Sequence, residues 1–161
     1  MTHQLEKLAI AVGQALNIQH LKLATAESCT GGGLSYWITH VPGSSAWFER
    51  GFVTYSDAAK SEMLGVNPQT IATFGAVSKE TAIEMATGAL QKSKADISIA
   101  ITGIAGPNGG SQDKPVGTVW IAIAKRKYPT DAQSILFAGD RQLVRERTIV
   151  CALEKLLEKL K

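Results

Sequence analysis

Two polar side chains that each follow a predicted β-strand, those of Ser28 and Lys60, could act together as a nucleophile and its base. Ser28 lies in TAESCTGGG, residues 25–33, directly after an apolar segment. Lys60 ends YSDAAK, residues 55–60, early in a predicted helix. If the two strands are neighbours, both side chains lie at one edge of the sheet, where open α/β sheets bind ligands. A neutral lysine there can take the proton of a serine that attacks a carbonyl group.

The surroundings predicted for Lys60 would favour its neutral amine. A purely structural role also remains open for both Lys60 and Ser28. A nearby helix N-terminus and partial burial both lower the pKa of a lysine such as Lys60. In the alternative interpretation, Lys60 is exposed and pairs with Asp57 or Glu62, and Ser28 or Thr30 is the N-cap of the next helix. Local features alone do not separate the two interpretations.

The residues that follow Ser28 offer a place for negative charge. The backbone N–H groups of Cys29, Thr30 and Gly31 begin the predicted helix without intrahelical partners, and the helix dipole adds to their effect. They suit a phosphate or the oxyanion that forms when a carbonyl is attacked. Glycines at 31–33 let a ligand approach the backbone closely. Neither the Walker pattern G-x-x-x-x-G-K-[ST] nor the dinucleotide pattern G-x-G-x-x-G is present, which disfavours the familiar phosphate loops.

A cysteine or histidine mechanism has less support from the sequence. Cys29 is a rival nucleophile because a thiol at a helix start is acidified, but it has no evident histidine partner. The histidines His3, His20 and His40 lie near a terminus, a turn and a helix end, and none has the setting of a catalytic triad. A small buried cysteine is the commoner arrangement.

Two further segments could complete a pocket. TGIAGPNGGSQDKPVG, residues 102–117, is a long connection of the kind that is usually functional or disordered. It begins where a buried strand ends, so Thr102 and the amides from Gly103 to Gly106 could line a pocket wall. Its second part, GGSQDKP, has the composition of a mobile lid or a subunit contact. Arg141 and Arg145 lie one helical turn apart and could bind an anionic substrate, with solvated surface arginines as the alternative.

The elements that must position these residues follow from hydrophobic periodicity. The first helix is predicted over residues 3–17, and the second runs from the glycines at 31–33 to Pro42-Gly43. The third lies in SDAAKSEMLG with Ser56 or Asp57 as its N-cap, and a short fourth helix begins at Asn67-Pro68. The fifth lies in SKETAIEMATGALQKSK, which begins with the cap candidate Ser78, and the last follows a cap at Asp140. Strands are predicted at 21–26 and in ERGFVTYS, DISIAIT, GTVWIAIA and AQSILFAG. The last three strands lack intervening helices, which predicts a three-layer α/β/α fold with a mixed, mostly parallel five-stranded sheet in one domain, residues 1–161.

Composition and charge argue against a nucleic-acid or membrane partner. The net charge of +3 is small and the basic residues are scattered, so no nucleic-acid partner is expected. No apolar run reaches the roughly 20 residues of a membrane span, so no membrane partner is expected. Two distant cysteines are typical of reduced thiols in a cytoplasmic protein. Trp37, Trp47 and Phe48 suit a subunit interface as well as a core, and a homo-oligomer is expected.

With these segments assembled, the chain resembles the CinA C-terminal domain family, the nicotinamide mononucleotide amidohydrolases of the PncC type, from about residue 5 to residue 158. The resemblance rests on TAESCTGG, GSSAWFERGFVTYS with Lys60 five residues after Tyr55, GAVS, TGIAGPNGG and KPVGTVW, all in order. Many relatives carry this domain after a larger N-terminal domain, so the chain resembles the stand-alone form. The family implies a three-layer α/β/α fold and hydrolysis of the carboxamide of nicotinamide mononucleotide, without a metal or cofactor.

The resemblance also implies roles for individual residues. Ser28 and Lys60 would form a catalytic dyad, with Tyr55 orienting Lys60 or relaying its proton. The expected substrate-binding residues are Glu27, Cys29, Thr30, Gly31, Thr102, Gly103, Gly106, Arg141 and Arg145. Two other hypotheses stay open: a non-catalytic nucleotide-binding module in which the glycine turn only holds phosphate, and an enzyme with the same dyad that acts on another amide.

Overall fold

The computed structural model describes all 161 residues of the chain. Six α-helices are present: α1 Thr2–Ile18, α2 Gly33–Thr39, α3 Asp57–Leu64, α4 Pro68–Phe74, α5 Lys79–Gln91 and α6 Arg141–Leu160. Five strands are present: β1 Leu23–Glu27, β2 Phe48–Val53, β3 Ile97–Gly103, β4 Thr118–Lys125 and β5 Asp131–Leu136. A single turn of 3-10 helix, Ser44–Ala46, precedes β2.

The five strands form one mixed sheet in the order β2-β1-β3-β4-β5. β2 and β3 both pair with β1 in parallel, whereas β4 runs antiparallel to both β3 and β5. Antiparallel neighbours need no helical crossover, which is why no helix separates the last three strands. The predicted mixed, mostly parallel sheet is therefore confirmed.

Alternation along the strands divides the core into two layers. Ile97, Ile99 and Ile101 of β3 pack on one face of the sheet with buried residues of α1, α2 and α6. Ala100 points to the opposite face, where it packs with α5 and with Leu64 at the end of α3. That second face is built largely of alanines, which lets α5 lie close to the sheet: Ala24, Ala26, Ala100, Ala122 and Ala124. The two packed layers complete the α/β/α arrangement that the sequence predicted.

Polar residues at the predicted positions cap four of the helices. The side chains of Ser56, Asn67, Ser78 and Asp140 each accept a hydrogen bond from a backbone N–H in the first turn of the helix that follows. α3 also ends as predicted, at Gly65, whose φ of 71° places it in the left-handed region. These caps set where Lys60 and Arg141 lie along their helices.

Two predicted boundaries near the first strands are wrong. α2 begins at Gly33 with Gly32 as its N-cap, so neither Ser28 nor Thr30 caps it. β2 ends at Val53, and Thr54 and Tyr55 form the link to α3 instead of the end of the strand. The physical reason for the first difference is a pair of turns after β1, described below.

The segments considered for interfaces are packed against the chain itself. Trp47 is 3% exposed in the core, and Trp37 and Phe48 are partly buried against the same core. Within GGSQDKP, the Nζ of Lys114 donates a hydrogen bond to the carbonyl of Phe74 at 2.6 Å, joining this loop to the end of α4. None of the helices combines the length and the apolarity that crossing a bilayer requires.

The close approach of α5 to α3 generates a stability prediction. A Cβ atom at Gly88 would overlap the carbonyl oxygen of Leu64. Helix propensity alone predicts that Gly88→Ala stabilises α5 by about 1 kcal/mol. The overlap predicts the opposite sign, a loss of about 2 kcal/mol that lowers Tm by roughly 4–8 °C, measured by thermal unfolding. Gln91→Ala, at an exposed position of the same helix, should leave Tm nearly unchanged. A Gly88→Ala protein at least as stable as the wild type would contradict the packing described here.

Candidate active site

The parallel pairing of β1 with β2 brings the ends of both strands to one edge of the sheet. Ser28 directly follows β1, and its backbone N–H donates to the carbonyl of Ile101 in β3 at 3.0 Å. The backbone N–H of Thr54 donates to the carbonyl of Glu27 at 2.8 Å, which extends the pairing one residue past β2. This pairing places the start of α3 beside Ser28, as the sequence predicted.

The amine of Lys60 lies against the hydroxyl of Ser28. Its Nζ is 3.0 Å from the Ser28 Oγ, 2.9 Å from the Thr54 carbonyl oxygen and 3.1 Å from the Tyr55 carbonyl oxygen. A neutral amine has two N–H donors, which match the two carbonyls, and one lone pair, which can accept the serine proton. The side chain is only 1% exposed. The same three acceptors also match the three N–H donors of an ammonium, so it is burial, and not the contacts, that favours the neutral lysine that can act as a base.

Burial is the main influence on the charge of Lys60. Removal from water lowers the pKa of its amine below the ordinary value, and the charges that Asp57 and Cys29 carry when ionised act in the opposite direction. No carboxylate forms an ion pair with Lys60, since the two ion pairs in the chain join Arg50 to Glu49 and Lys159 to Asp131. The alternative of an exposed Lys60 paired with Asp57 or Glu62 is wrong.

The turn between β1 and α2 presents three backbone amides without acceptors, those of Cys29, Thr30 and Gly32. The N–H of Gly31 donates to the Ser28 carbonyl at 3.0 Å, and the N–H of Gly33 donates to the Thr30 carbonyl at 2.9 Å. The N–H of Gly31 is therefore occupied, contrary to the prediction that it begins a helix with no partner. The N–H groups of Cys29 and Thr30 donate to no oxygen of the protein. These two amides are the first unpaired donors after Ser28 in the chain; Cys29 lines the cavity, whereas Thr30 is fully buried.

Glu27 lies behind this turn and is completely buried. Its carboxylate accepts hydrogen bonds from the Thr30 hydroxyl at 2.7 Å, from the N–H groups of Leu34 and Ser35 at 2.8 and 3.0 Å, and from the Ser35 hydroxyl at 2.7 Å. The carboxylate thereby caps α2, which has a glycine at its N-cap. With its oxygens occupied, Glu27 holds the turn and does not face the cavity.

A cavity of about 280 Å³ opens beside the dyad. Eight of the predicted site residues line it: Ser28, Cys29, Tyr55, Lys60, Thr102, Gly103, Gly106 and Arg141. Four do not: Glu27, Thr30, Gly31 and Arg145. The structure thus brings most of the predicted residues together and places the others in the layer that supports the turn.

Arg141 spans the mouth of this cavity. Its Nη1 donates to the carbonyl of Gly106 at 2.8 Å and its Nη2 donates to the Tyr55 hydroxyl at 3.0 Å. Both acceptors are neutral, so the positive charge of the guanidinium remains uncompensated beside the cavity. An arginine in this setting suits a phosphate or carboxylate group of a ligand.

The wall opposite Tyr55 is formed by the end of β3 and its loop. The hydroxyl of Thr102 donates to the carbonyl of Ala76 at 2.7 Å, which joins β3 to the link between α4 and α5. A Cβ at Gly103 would lie 2.7 Å from the Val119 side chain and 3.2 Å from the Cys29 Sγ, so glycine is needed for this close packing. These contacts hold the wall in place.

Sequence reasoning missed several residues that line the cavity. Asp57, Ala76, Val77, Asn108 and Gly109 all contribute to it. Asp57 could have been found, because it is the first residue of the helix that carries Lys60. Ala76 and Val77 carry no chemical signal of their own and reach the cavity only because the link between α4 and α5 lies beside β3.

Comparison with known proteins is consistent with this arrangement. Residues 5–160, almost the whole chain, match the CinA C-terminal domain. The chain belongs to the CinA C-terminal domain family. Within this family it is 50% identical over 153 residues to a protein of Escherichia coli (strain K12) named nicotinamide-nucleotide amidohydrolase PncC, covering 95% of this chain and 93% of that one. A protein of the same name from Pseudomonas putida is 48% identical, with 94% of each chain covered.

A solved structure shares the fold closely. The crystal structure of competence/damage inducible protein CihA from Agrobacterium tumefaciens superposes with a TM-score of 0.94 at 44% identity, covering 96% of this chain and 94% of that one. In the present chain no three histidine, cysteine, aspartate or glutamate side chains cluster as a metal site would require. The side chains lining the cavity that could act as nucleophiles include the Ser28 and Thr102 hydroxyls, the Lys60 amine and the Cys29 thiol.

The thiol of Cys29 is predicted to be unreactive. Burial raises the pKa of Cys29 to about 11, so at pH 8 only about one thiol in a thousand is ionised. We expect iodoacetamide to label Cys29 negligibly in the folded protein and fully after denaturation, as followed by peptide mass mapping. The half-buried Cys151 provides an internal comparison. Labelling of Cys29 within minutes at pH 8 would contradict its burial and restore it as a rival nucleophile.

Proposed function

We propose that the protein is a nicotinamide mononucleotide deamidase, which hydrolyses the carboxamide of the substrate to nicotinic acid mononucleotide and ammonia. The observation that carries this proposal is the buried amine of Lys60, 3.0 Å from the Ser28 hydroxyl and free of any carboxylate. The names of the relatives in Escherichia coli and Pseudomonas putida support the choice of substrate. The cavity beside the dyad provides room for a small molecule.

In the first half of the proposed reaction, Ser28 becomes acylated. Lys60 takes the hydroxyl proton as the Ser28 Oγ forms a bond to the amide carbon. The N–H groups of Cys29 and Thr30 stabilise the oxyanion of the tetrahedral intermediate. The C–N bond then breaks, and the ammonium of Lys60 returns its proton to the departing nitrogen, which leaves as ammonia.

In the second half, water releases the acyl group. With Lys60 neutral again, its amine takes a proton from a water molecule that attacks the acyl carbon, and the same two amides stabilise the second oxyanion. The bond to the Ser28 Oγ breaks, and Lys60 returns the proton to that oxygen. The carboxylic acid product ionises, and the enzyme is restored without net change.

Other residues of the cavity bind and orient the substrate in this proposal. Arg141, whose charge is uncompensated, binds the phosphate, and binding of this remote group helps to place the amide beside Ser28. Thr102, Gly103 and Gly106 form the wall against which the substrate lies. Tyr55 orients Lys60 through its backbone carbonyl, while its hydroxyl contacts Arg141. The phenol is therefore assigned to substrate binding and not to proton relay.

The cellular setting is also a proposal. The two cysteines are free thiols, as is usual in a reducing compartment, so we assign the reaction to pyridine nucleotide salvage in the cytoplasm. We further propose that residues 1–161 act as a single domain, as a homo-oligomer, with no nucleic-acid partner and no cofactor.

An ammonia assay tests the proposal. The wild type should release ammonia from nicotinamide mononucleotide, and Ser28→Ala and Lys60→Met should each lower kcat by about 10⁴-fold, because the pair acts as a unit. Ser61→Ala and Lys79→Met, which alter residues outside the cavity, serve as matched controls with activity near wild type. Full activity in Ser28→Ala would rule out the assigned nucleophile.

Nucleotide binding that survives both dyad substitutions, with no ammonia from the wild type, would indicate a binding module. A panel of other amides tests the third hypothesis.

The pH dependence of kcat tests the state of Lys60. Because the amine must be neutral to accept a proton, kcat should rise with pH through the pKa of Lys60, which burial holds below 10.5. The charge of Asp57 favours the ammonium form, so Asp57→Asn should lower this pKa further and move the acidic limb to lower pH. The shift should be small because Asp57 is exposed. Glu62→Gln, on the same helix, should not shift the limb; an unchanged or raised limb in Asp57→Asn would contradict the assignment.

A further inference from the structure

Arg145 lies one helical turn after Arg141 but does not line the cavity. Its Nε donates to the carbonyl of Cys29 at 3.1 Å and its Nη2 donates to the carbonyl of Thr30 at 3.2 Å. The guanidinium thus reaches from α6, at the opposite end of the chain, to the turn that follows Ser28. The two arginines share a helix but have different acceptors.

The contact with Cys29 bears directly on the amide of Thr30. The carbonyl of Cys29 and the N–H of Thr30 belong to one peptide unit, which is trans because the only cis bond in the chain joins Gly106 to Pro107. In a trans peptide these two groups point in opposite directions. A donor fixed on the carbonyl therefore fixes the direction of the N–H. A charged donor on the carbonyl also polarises the peptide and strengthens the N–H as a donor.

The neighbouring peptide unit is held in a related way. The carbonyl of Ser28 accepts the N–H of Gly31 at 3.0 Å, so the N–H of Cys29 is also turned away from the interior of the turn. On the far side, Glu27 accepts a hydrogen bond from the Thr30 hydroxyl. The turn is fixed by Arg145 on one side and by Glu27 on the other. Within it, the N–H of Cys29 belongs to a residue that lines the cavity, and the N–H of Thr30 is a fully buried donor without an acceptor in the protein.

From these contacts we propose that Arg145 is a positioning residue for the oxyanion site and does not contact the substrate. It holds and polarises the peptide between Cys29 and Thr30, so that the N–H of Thr30 is directed before the substrate arrives. This inference rests on the proposed deamidase function. The two arginines therefore have different roles: Arg141 affects binding of the phosphate, whereas Arg145 affects the rate of the chemical step.

Steady-state kinetics of matched arginine variants test the inference. Arg145→Met, Arg141→Met and Arg147→Met are compared on nicotinamide mononucleotide and on the corresponding nucleoside, which lacks the phosphate. Arg147, on the same helix, donates to the carbonyl of Ala138, which precedes that helix, and is the control. Arg145→Met should lower kcat about 10- to 100-fold on both substrates with KM nearly unchanged, since loss of an oxyanion donor costs about 10²–10³. Arg141→Met should raise KM for the phosphate-bearing substrate only.

Other results would refute either the positioning role of Arg145 or the deamidase function. A wild-type kcat in Arg145→Met, or a rise in its KM confined to the phosphate-bearing substrate, refutes the positioning role while leaving the deamidase function intact. A wild type that releases no ammonia refutes the function, and the inference with it. If Arg145→Met fails to fold, as judged by thermal unfolding, Arg145→Lys takes its place. Because an ammonium lacks the planar fork, this variant should retain KM and lose part of kcat; an undiminished kcat refutes the inference.

Discussion

The free energy needed to remove an ammonium group from water exceeds what most hydrogen bonds in a protein interior provide, unless a carboxylate pairs with it. The active site depends on this constraint. Lys60 is enclosed by the sheet edge and by α3, and the groups in hydrogen-bond contact with its amine are two carbonyls and one hydroxyl. No acid is placed to stabilise the charged form by direct contact. The fold thereby favours the neutral amine, the form that can accept a proton, at a position where a serine hydroxyl is in reach, and parallel pairing of β1 with β2 creates that position.

The second component of the site is made from backbone and not from side chains. A short helix such as α2 contributes little dipole, and the structure does not depend on one. Instead, Glu27 accepts from the Thr30 hydroxyl, Arg145 donates to the carbonyls of Cys29 and Thr30, and the N–H groups of these two residues have no acceptor in the protein. Preorganised donors of this kind need not reorient when charge develops, which is the main reason that they accelerate acyl transfer. In the proposed mechanism, the buried acid and the half-buried arginine therefore support catalysis although neither faces the cavity.

Much of this architecture could be predicted from local patterns. The caps at Ser56 and Asp140 and the apolar alternation of β3 are local signals, and the structure confirms them. The start of α2 could not be predicted, because Gly31 and Gly32 adopt positive φ and delay the helix while a carboxylate from the preceding strand takes over its cap. The role of Arg145 was also out of reach, since a contact across 116 residues of chain depends on how α6 packs. Local spacing identified which residues gather at the sheet edge, but not which of them face inward.

The lysine is oriented by main-chain atoms, the carbonyls of Thr54 and Tyr55, and this has a consequence for evolution and engineering. The side chain at position 55 is not needed to place the base, so it is available to recognise a ligand. The same separation holds for Val77 and Asn108, which border the cavity without contacting the dyad through any hydrogen bond. Ligand preference could therefore diverge at these surrounding positions while the reactive pair stays constant. A scaffold of this kind is well suited to laboratory retargeting toward other carboxamides.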